Sequence, residues 1–300
     1  MRLMKTRISL GSFKRNYGTS DQCLEAIKKA RYPGLTTCPK CQRKERFYRV
    51  TGRTAYACNH CGNHIYPLAG TIFEKSTTSL DLWFFAMYLM AQTRSGTSAK
   101  QLERMLGVTY KTAWRMFKQI RMLMAETNTS LLSGTVEIDE SYFGGRRIRK
   151  GIWGGGVDNK EAVMGMVERD GRAYVKHVPD TSKYTLINQI QQNVDPKARI
   201  ITDQYPSYQS LRKLGYNHDF VNHTKTFVVG DIYTQNIEGV WSTMKRGITG
   251  VYRHVSKKYL QAYVDEYTWR FNRRKRSGEM FDLLLAEATS VSSSKASQLV

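Results

Sequence analysis

Acid is scarce in this chain. Its 300 residues carry 25 Asp and Glu against 47 Lys and Arg, a formal charge of +22. Such an imbalance leaves the fold open but favours a polyanionic partner, because each phosphate neutralised releases counterions. Long apolar runs are missing as well. The most apolar stretch, 82-LWFFAMYLMA-91, is half the length of a transmembrane helix and reads as a buried helix. The basic N-terminus MRLMKTRISLGSFKRN lacks the apolar core of a secretory signal. An anionic membrane would require a basic amphipathic helix or an anchor, and neither is evident. These absences predict a soluble protein, with no membrane partner, working on nucleic acid in the cytoplasm. A chain of this length, 41% hydrophobic, predicts two or three domains.

Cysteine is also sparse, and its placement is informative. Four of five cysteines fall as 38-CPKC-41 and 58-CNHC-61, with sixteen residues between the pairs. Tetrahedral Zn²⁺ takes four thiolates, and two such knuckles supply them. A disulfide pair would need a secreted context, and a redox CxxC needs only one pair. The segment between alternates like a short hairpin. Cys38, Cys41, Cys58 and Cys61 are therefore expected to hold one structural Zn²⁺ in a zinc ribbon. Cys23, beside Leu24 and Ile27 in a predicted helix, reads as a buried small hydrophobe.

The pattern along the chain divides it into five parts: an N-terminal helical segment (1–32), the ribbon (33–68), a helical region (69–130), an α/β domain (131–280) and a C-terminal tail (281–300), Ser-rich toward its end. Thr19 and Gln22 offer a capping box for a helix stopped by Pro33. In 98-SAKQLERMLGVTYKTAWRMFKQIRMLM-124, Leu102, Met105 and Leu106 form one apolar face. Gly107 supplies a turn, and Thr109 can cap a second helix carrying Ala113, Met116, Phe117 and Ile120. This is helix-turn-helix spacing. Lys111, Arg115 and Lys118 would then face outward, where a recognition helix meets DNA; an ordinary helical hairpin has the same spacing. From residue 135 the texture turns to strands: TVEIDESYF, EAVMGMVER and RAYVKHVP, then a helix, the strand ARIIT, a helix over 206–215, the strand HDFVN and helices over 235–246 and 257–276. Three strands, a helix, a strand, a helix and a strand is the order of the ribonuclease-H-like fold.

In that fold the first and fourth strands are neighbours. Asp139 ends the first and Asp203 follows the fourth, 64 positions on. Glu238, a further 35 positions on, lies in a predicted helix crossing the same edge. Crowded carboxylates repel and shift one another's pKa unless a cation intervenes. Mg²⁺ or Mn²⁺, two per site, would satisfy them and serve phosphoryl transfer. Glu140 should point to the opposite face from Asp139 as a solvated or salt-bridged neighbour. The basic loop 146-RRIRK-150, with Arg146, Arg147, Arg149 and Lys150, follows Asp139 closely enough to predict DNA contact.

The segments VEIDESYFGG, ITDQYPSY, VNHT and TQNIEGVWSTMKRGITGVYRHVS resemble those of bacterial insertion-sequence DDE transposases with an N-terminal zinc ribbon, related to the Merlin transposons. The resemblance spans roughly residues 20–276. It implies an enzyme that binds the terminal inverted repeats of its element, cuts the DNA and joins 3′ ends to target DNA, as a homodimer on double-stranded DNA, in a bacterial, nucleoid-associated setting. It also implies Asp139, Asp203 and Glu238 as the catalytic acids and Lys245 as the basic residue that follows them. Glu266, Arg270 and Arg273 resemble an accessory signature on one helical face, the arginines being expected to meet DNA; Glu266 with Arg270 also reads as a surface i, i+4 pair. Some branches use Asn as third ligand, which leaves Asn236 beside Glu238 as the alternative. His223 reads as structural or as a phosphate contact, and Trp241 as core. Two other functions fit the residues: a structure-selective nuclease of the same fold, and a non-catalytic zinc-ribbon regulator.

Overall fold

The computed structural model describes residues 8–126, 130–144, 160–221 and 230–290. The chain forms two compact units, one of Met1–Leu123 with Arg276–Val300, the other of Met124–Lys275. No helix among the described residues is long and apolar enough to cross a membrane.

In the first unit, α1 (Leu10–Tyr17) leads into α2 (Ser20–Arg31). The predicted capping box starts α2: Thr19 Oγ1 accepts from Gln22 N at 3.3 Å, and Gln22 Oε1 accepts from Thr19 N at 3.1 Å. The ribbon follows as three short antiparallel strands, β1 (Phe47–Arg49), β2 (Tyr56–Cys58) and β3 (His64–Ile65), in that order. Then α3 (Leu80–Gln92) buries Trp83, Phe84, Met87 and Met90, as its unbroken apolarity predicts. α4 (Ala99–Leu106) and α5 (Tyr110–Met122) are two helices joined through the turn at Gly107. Ser98 and Thr109 cap them, and Gly107 takes the left-handed conformation (φ 65°) that closes α4. Met105 departs from the expected apolar face and is 46% exposed, whereas Leu102 and Leu106, one turn apart, carry the contact. A larger departure lies at the C-terminus. Residues 281–289, expected within a tail, belong to a helix, Met280–Thr289, packed on α2 and α3. Phe281 meets Phe13, Tyr17 and Phe84 at ring separations of 5.6, 5.2 and 6.0 Å. The Ser-rich end of the tail lies outside the described residues.

The second unit is built on a five-stranded sheet of β4 (Thr135–Phe143), β5 (Glu161–Glu168), β6 (Ala173–Val178), β7 (Arg199–Asp203) and β8 (Asn217–Val221), ordered β6-β5-β4-β7-β8. β4, β5 and β6 pair antiparallel, and β7 and β8 run parallel to β4. This is the ribonuclease-H-like order. Alternation along β4 divides the core. Val136 and Ile138 pack with Leu186 and Ile190 of α6 (Lys183–Asn193) and with Ile200, Tyr208 and Leu211. Val163, Val167 and Val175 pack instead with Ile237, Trp241 and Met244 of α7 (Gln235–Gly247) and Val264 and Tyr267 of α8 (Lys257–Asn272). The helix expected over 206–215 is two 3₁₀ turns, Pro206–Tyr208 and Arg212–Leu214. Pro206 opens the first, and Gly215 (φ 91°) ends the second.

Candidate active site

The ribbon cysteines converge. All four are free, and their Sγ atoms lie within 4.8 Å of one another. The closest pairs, Cys38–Cys61 at 3.7 Å and Cys41–Cys58 at 3.9 Å, are far beyond the roughly 2.05 Å of a disulfide. The knuckles are built alike. Gln42 N donates to Cys38 O at 2.9 Å and Gly62 N to Cys58 O at 3.0 Å, with both donors at positive φ (58° and 68°). The backbone N–H of Cys41 directed at the Cys38 thiol pulls it down to about 6, while, against a backbone N–H from Arg43, burial and the neighbouring thiols push Cys41 up to about 11. A sulfur cluster of this charge and spacing fits a tetrahedral Zn²⁺. Cys23 is buried, and burial with nearby Asp81 pushes its thiol up to about 12.

The acids come from three elements of the second unit: Asp139 within β4, Asp203 at the end of β7 and Glu238 in the first turn of α7. Burial pushes the Asp139 carboxyl up to about 6; Trp241 opposes the shift, and the charges of Asp203 and Glu238 add to it. Each acid is also held. Trp241 Nε1 donates to Asp139 Oδ2 at 2.8 Å, Tyr205 N to Asp203 Oδ1 at 3.1 Å, and Thr234 Oγ1 to Glu238 Oε1 at 3.0 Å. The three oxygen sets do not gather as closely as the cysteine sulfurs among the described residues. Asp139 and Asp203 are half-buried and Glu238 is exposed, and the three offer the hard oxygen donors that Mg²⁺ or Mn²⁺ prefers.

Two residues that shape this site escaped the sequence reading. Glu137, two positions before Asp139 and so on the same face of β4, is fully buried. Its Oε2 accepts from the backbone N–H groups of Asn236 (2.8 Å) and Ile237 (3.2 Å), the opening turn of α7. Its Oε1 accepts from Asn236 Nδ2 (2.8 Å) and Arg169 Nε (2.9 Å). A carboxylate from the sheet thus satisfies the orphan donors of the helix that carries Glu238. The second is Gly165, opposite Asp139 on β5. A Cβ there would lie 2.6 Å from Ile237 Cδ1 and 2.7 Å from the Trp241 ring, so glycine is what lets α7 sit this close. Trp241 is core, as expected, and also a partner of Asp139.

Other expectations fare differently. Asn236 turns its amide nitrogen to Glu137. Glu140, on the opposite side of the sheet as expected, is half-buried and makes no ion pair among the described residues: Tyr208 Oη donates to it, and burial pushes its carboxyl up to about 8 despite that bond. Arg270 is only 8% exposed and bonds Glu266, itself 0% exposed, through Nη2 at 2.7 Å. That burial corrects both the surface pair and the DNA contact expected of Arg270. Arg273 is half-buried, pairs with Glu126 and lies over the Trp269 ring at 4.6 Å. Lys245 is exposed on α7, and Lys111, Arg115 and Lys118 are exposed along α5, with Arg115 donating to Thr78 Oγ1 at 2.9 Å. Arg146, Arg147, Arg149, Lys150 and His223 lie outside the described residues.

Comparison with known proteins agrees with this geometry. Residues 131–272 match the ISXO2-like transposase domain, and residues 18–64 match the transposase zinc-ribbon domain. An uncharacterized protein in transposable element ISH50 of Halobacterium salinarum is 27% identical over 261 residues, covering 78% of this chain and 84% of that protein. An uncharacterized transposase-like protein of Haemophilus influenzae is 29% identical over 101 residues, covering 34% of this chain and 81% of its own. Among solved structures, the Mos1 strand transfer complex is similar at 14% identity and a TM-score of 0.29, covering 65% of this chain and 74% of that one. So loose a structural likeness adds no weight, and the fold rests on its strand order. The chain thus carries an ISXO2-like transposase domain over residues 131–272 behind a transposase zinc-ribbon domain over residues 18–64, the two parts of an insertion-sequence transposase with an N-terminal zinc ribbon.

Proposed function

We propose that this chain binds the terminal inverted repeats of its element, cleaves the DNA there and joins the freed 3′ ends to target DNA. The observation that carries this reading is the half-buried Asp139 carboxyl, fixed by Trp241 and pushed up by burial and by the charges of Asp203 and Glu238. Such a site costs folding energy unless positive charge is drawn into it. Asp139, Asp203 and Glu238 would hold Mg²⁺ or Mn²⁺, two per site, which would activate the attacking oxygen and stabilise the leaving one. Glu238 is preferred to Asn236 as third ligand because a carboxylate is the stronger donor to a hard divalent ion. Trp241 keeps Asp139 in one orientation, Glu137 keeps α7 seated, and Lys245 extends from the same helix toward the DNA. Cys38, Cys41, Cys58 and Cys61 would hold structural Zn²⁺. Lys111, Arg115 and Lys118, with the 146–150 loop, would neutralise DNA phosphates. A homodimer on double-stranded DNA, in the nucleoid of the cytoplasm, completes the reading.

The test is cleavage and strand transfer on an element-end duplex with Mg²⁺. Wild-type protein should nick the end and join pre-cut ends to a target. Nicking without joining would mark a structure-selective nuclease instead, and binding with neither would mark a regulator.

A further inference from the structure

Further along β4 from Asp139 and along α7 from Glu238, the second unit holds a cleft of about 970 Å³ between the end of β4, the start of β5 and the chain leaving α7. Lys160, Lys245, Arg253 and Lys257 line it. Lys257 is committed to Glu161 at 3.0 Å, and Glu161 also accepts from His177 at 2.9 Å. Lys160, Lys245 and Arg253 are exposed and make no ion pair with the described residues. Three cations without an ion pair among the described residues therefore line one cleft, together with the carboxylates of Glu161 and Asp180.

The backbone that presents Arg253 is unusual. α7 runs on into a π-helical turn, Ile248–Tyr252, and breaks at Arg253 with φ 63° and ψ −52°. His254 N donates to Tyr252 O at 2.7 Å, closing a three-residue turn of the strained, positive-φ form. A residue with a Cβ persists there only when its surroundings impose the conformation. They do so here through Tyr252, whose Oη donates to both oxygens of buried Glu266 at 3.1 and 3.0 Å, while Arg270 holds Glu266 from the other side. The Tyr252 ring also packs edge-on against Tyr263, with centroids 4.7 Å apart. The buried Glu266–Arg270 pair is thus the anchor of the turn. Glycine would take this conformation without strain, yet the chain carries arginine.

We propose that this cleft seats the sugar–phosphate backbone of the DNA strand leaving the active site, with Arg253 contacting a phosphate from its strained turn and Lys160 a neighbouring one. This rests on the transposase reading above. Lys245 lies seven residues beyond Glu238 on the same helix, about 10 Å along its axis, which is three nucleotide steps of a duplex strand. A free inorganic anion fits less well, since the cations are spread around a large volume instead of converging.

The experiment is equilibrium binding of the full chain to an element-end duplex across a salt series, with thermal unfolding alongside. Arg253→Gly removes the charge and the strain together. Its melting temperature should hold or rise while Kd weakens severalfold and the salt slope falls by about one. Arg253→Lys should keep the slope. Lys160→Gln, at an exposed site, should also lower the slope by about one, and decides the matter should Arg253→Gly fold poorly. Unchanged Kd and slope in Arg253→Gly, or in Lys160→Gln if the former does not fold, would overturn the proposal. Failure of the transposase reading would look different: wild type would bind with the full slope yet neither cleave nor join with Mg²⁺.

Discussion

Glu137 shows how much of the site depends on a residue that never meets DNA. Its carboxylate takes hydrogen bonds from two backbone groups, one amide and one guanidinium, with no water exposure. Removing it would strand Arg169 and the first turn of α7 without their acceptor. Glu137→Ala is expected to cost about 3–5 kcal/mol in chemical denaturation, and added Mn²⁺ should not restore activity. Asp265 makes a separate prediction about pH. Burial pushes its carboxyl up to about 6, while Gln261 donates to it at 2.7 Å. The folded chain thus binds this proton more tightly than the unfolded one, so the group favours folding at low pH and opposes it as pH rises through about 6. Asp265→Asn should raise stability at pH 8 by roughly 1–3 kcal/mol, with the gain fading by about pH 4. An equal gain at both pH values would point to packing instead. At this scale the sequence discloses Asp203 as a strand-end carboxylate, whereas Asp139, expected at the end of its strand, lies midway along β4, which runs on to Phe143. The sequence does not disclose Glu137 as a support or Arg270 as buried. Periodicity assigns a side chain to a face, and what packs on that face is a tertiary fact.

Among the elements, α7 matters most, because it carries Glu238, Trp241 and Lys245 and is seated through two contacts with the sheet. One is Glu137; the other is the missing side chain of Gly165. Gly165→Ala should push Ile237 and Trp241 outward, costing about 1–3 kcal/mol and freeing Asp139 from its indole partner. Loss of indole burial by fluorescence, together with weakened nicking, is the expected result; normal activity with an unshifted spectrum would show that α7 tolerates the extra carbon. The ribbon makes an independent prediction. Metal analysis should find about one zinc per chain, and Cys58→Ser should release it and unfold residues 33–66. The knuckles were legible because zinc fixes ligand type and spacing within a few residues. The C-terminal helix was not read. The Ser-rich end drew the tail boundary back to residue 281, although 280-MFDLLLAEA-288 is apolar enough to be a packed helix.

For the whole molecule, the sequence order of strands and helices was enough to name the sheet, since few topologies accommodate three antiparallel strands followed by two parallel ones. Which unit the last helix joins was not legible, because the return of a chain terminus to an earlier unit leaves no mark in local pattern. The charge of +22 predicts binding to any duplex, falling steeply with salt, so binding alone cannot identify the chemistry. The direct measurement is strand transfer of pre-cut element ends into a supercoiled target with Mg²⁺, run on wild type and three variants at equal end binding. Wild type should join ends, Asp139→Asn and Glu238→Gln should not, and Asn236→Ala should retain measurable joining. Active Glu238→Gln with dead Asn236→Ala would move the third ligand to Asn236, and full joining by Asp139→Asn would contradict the carboxylate site altogether.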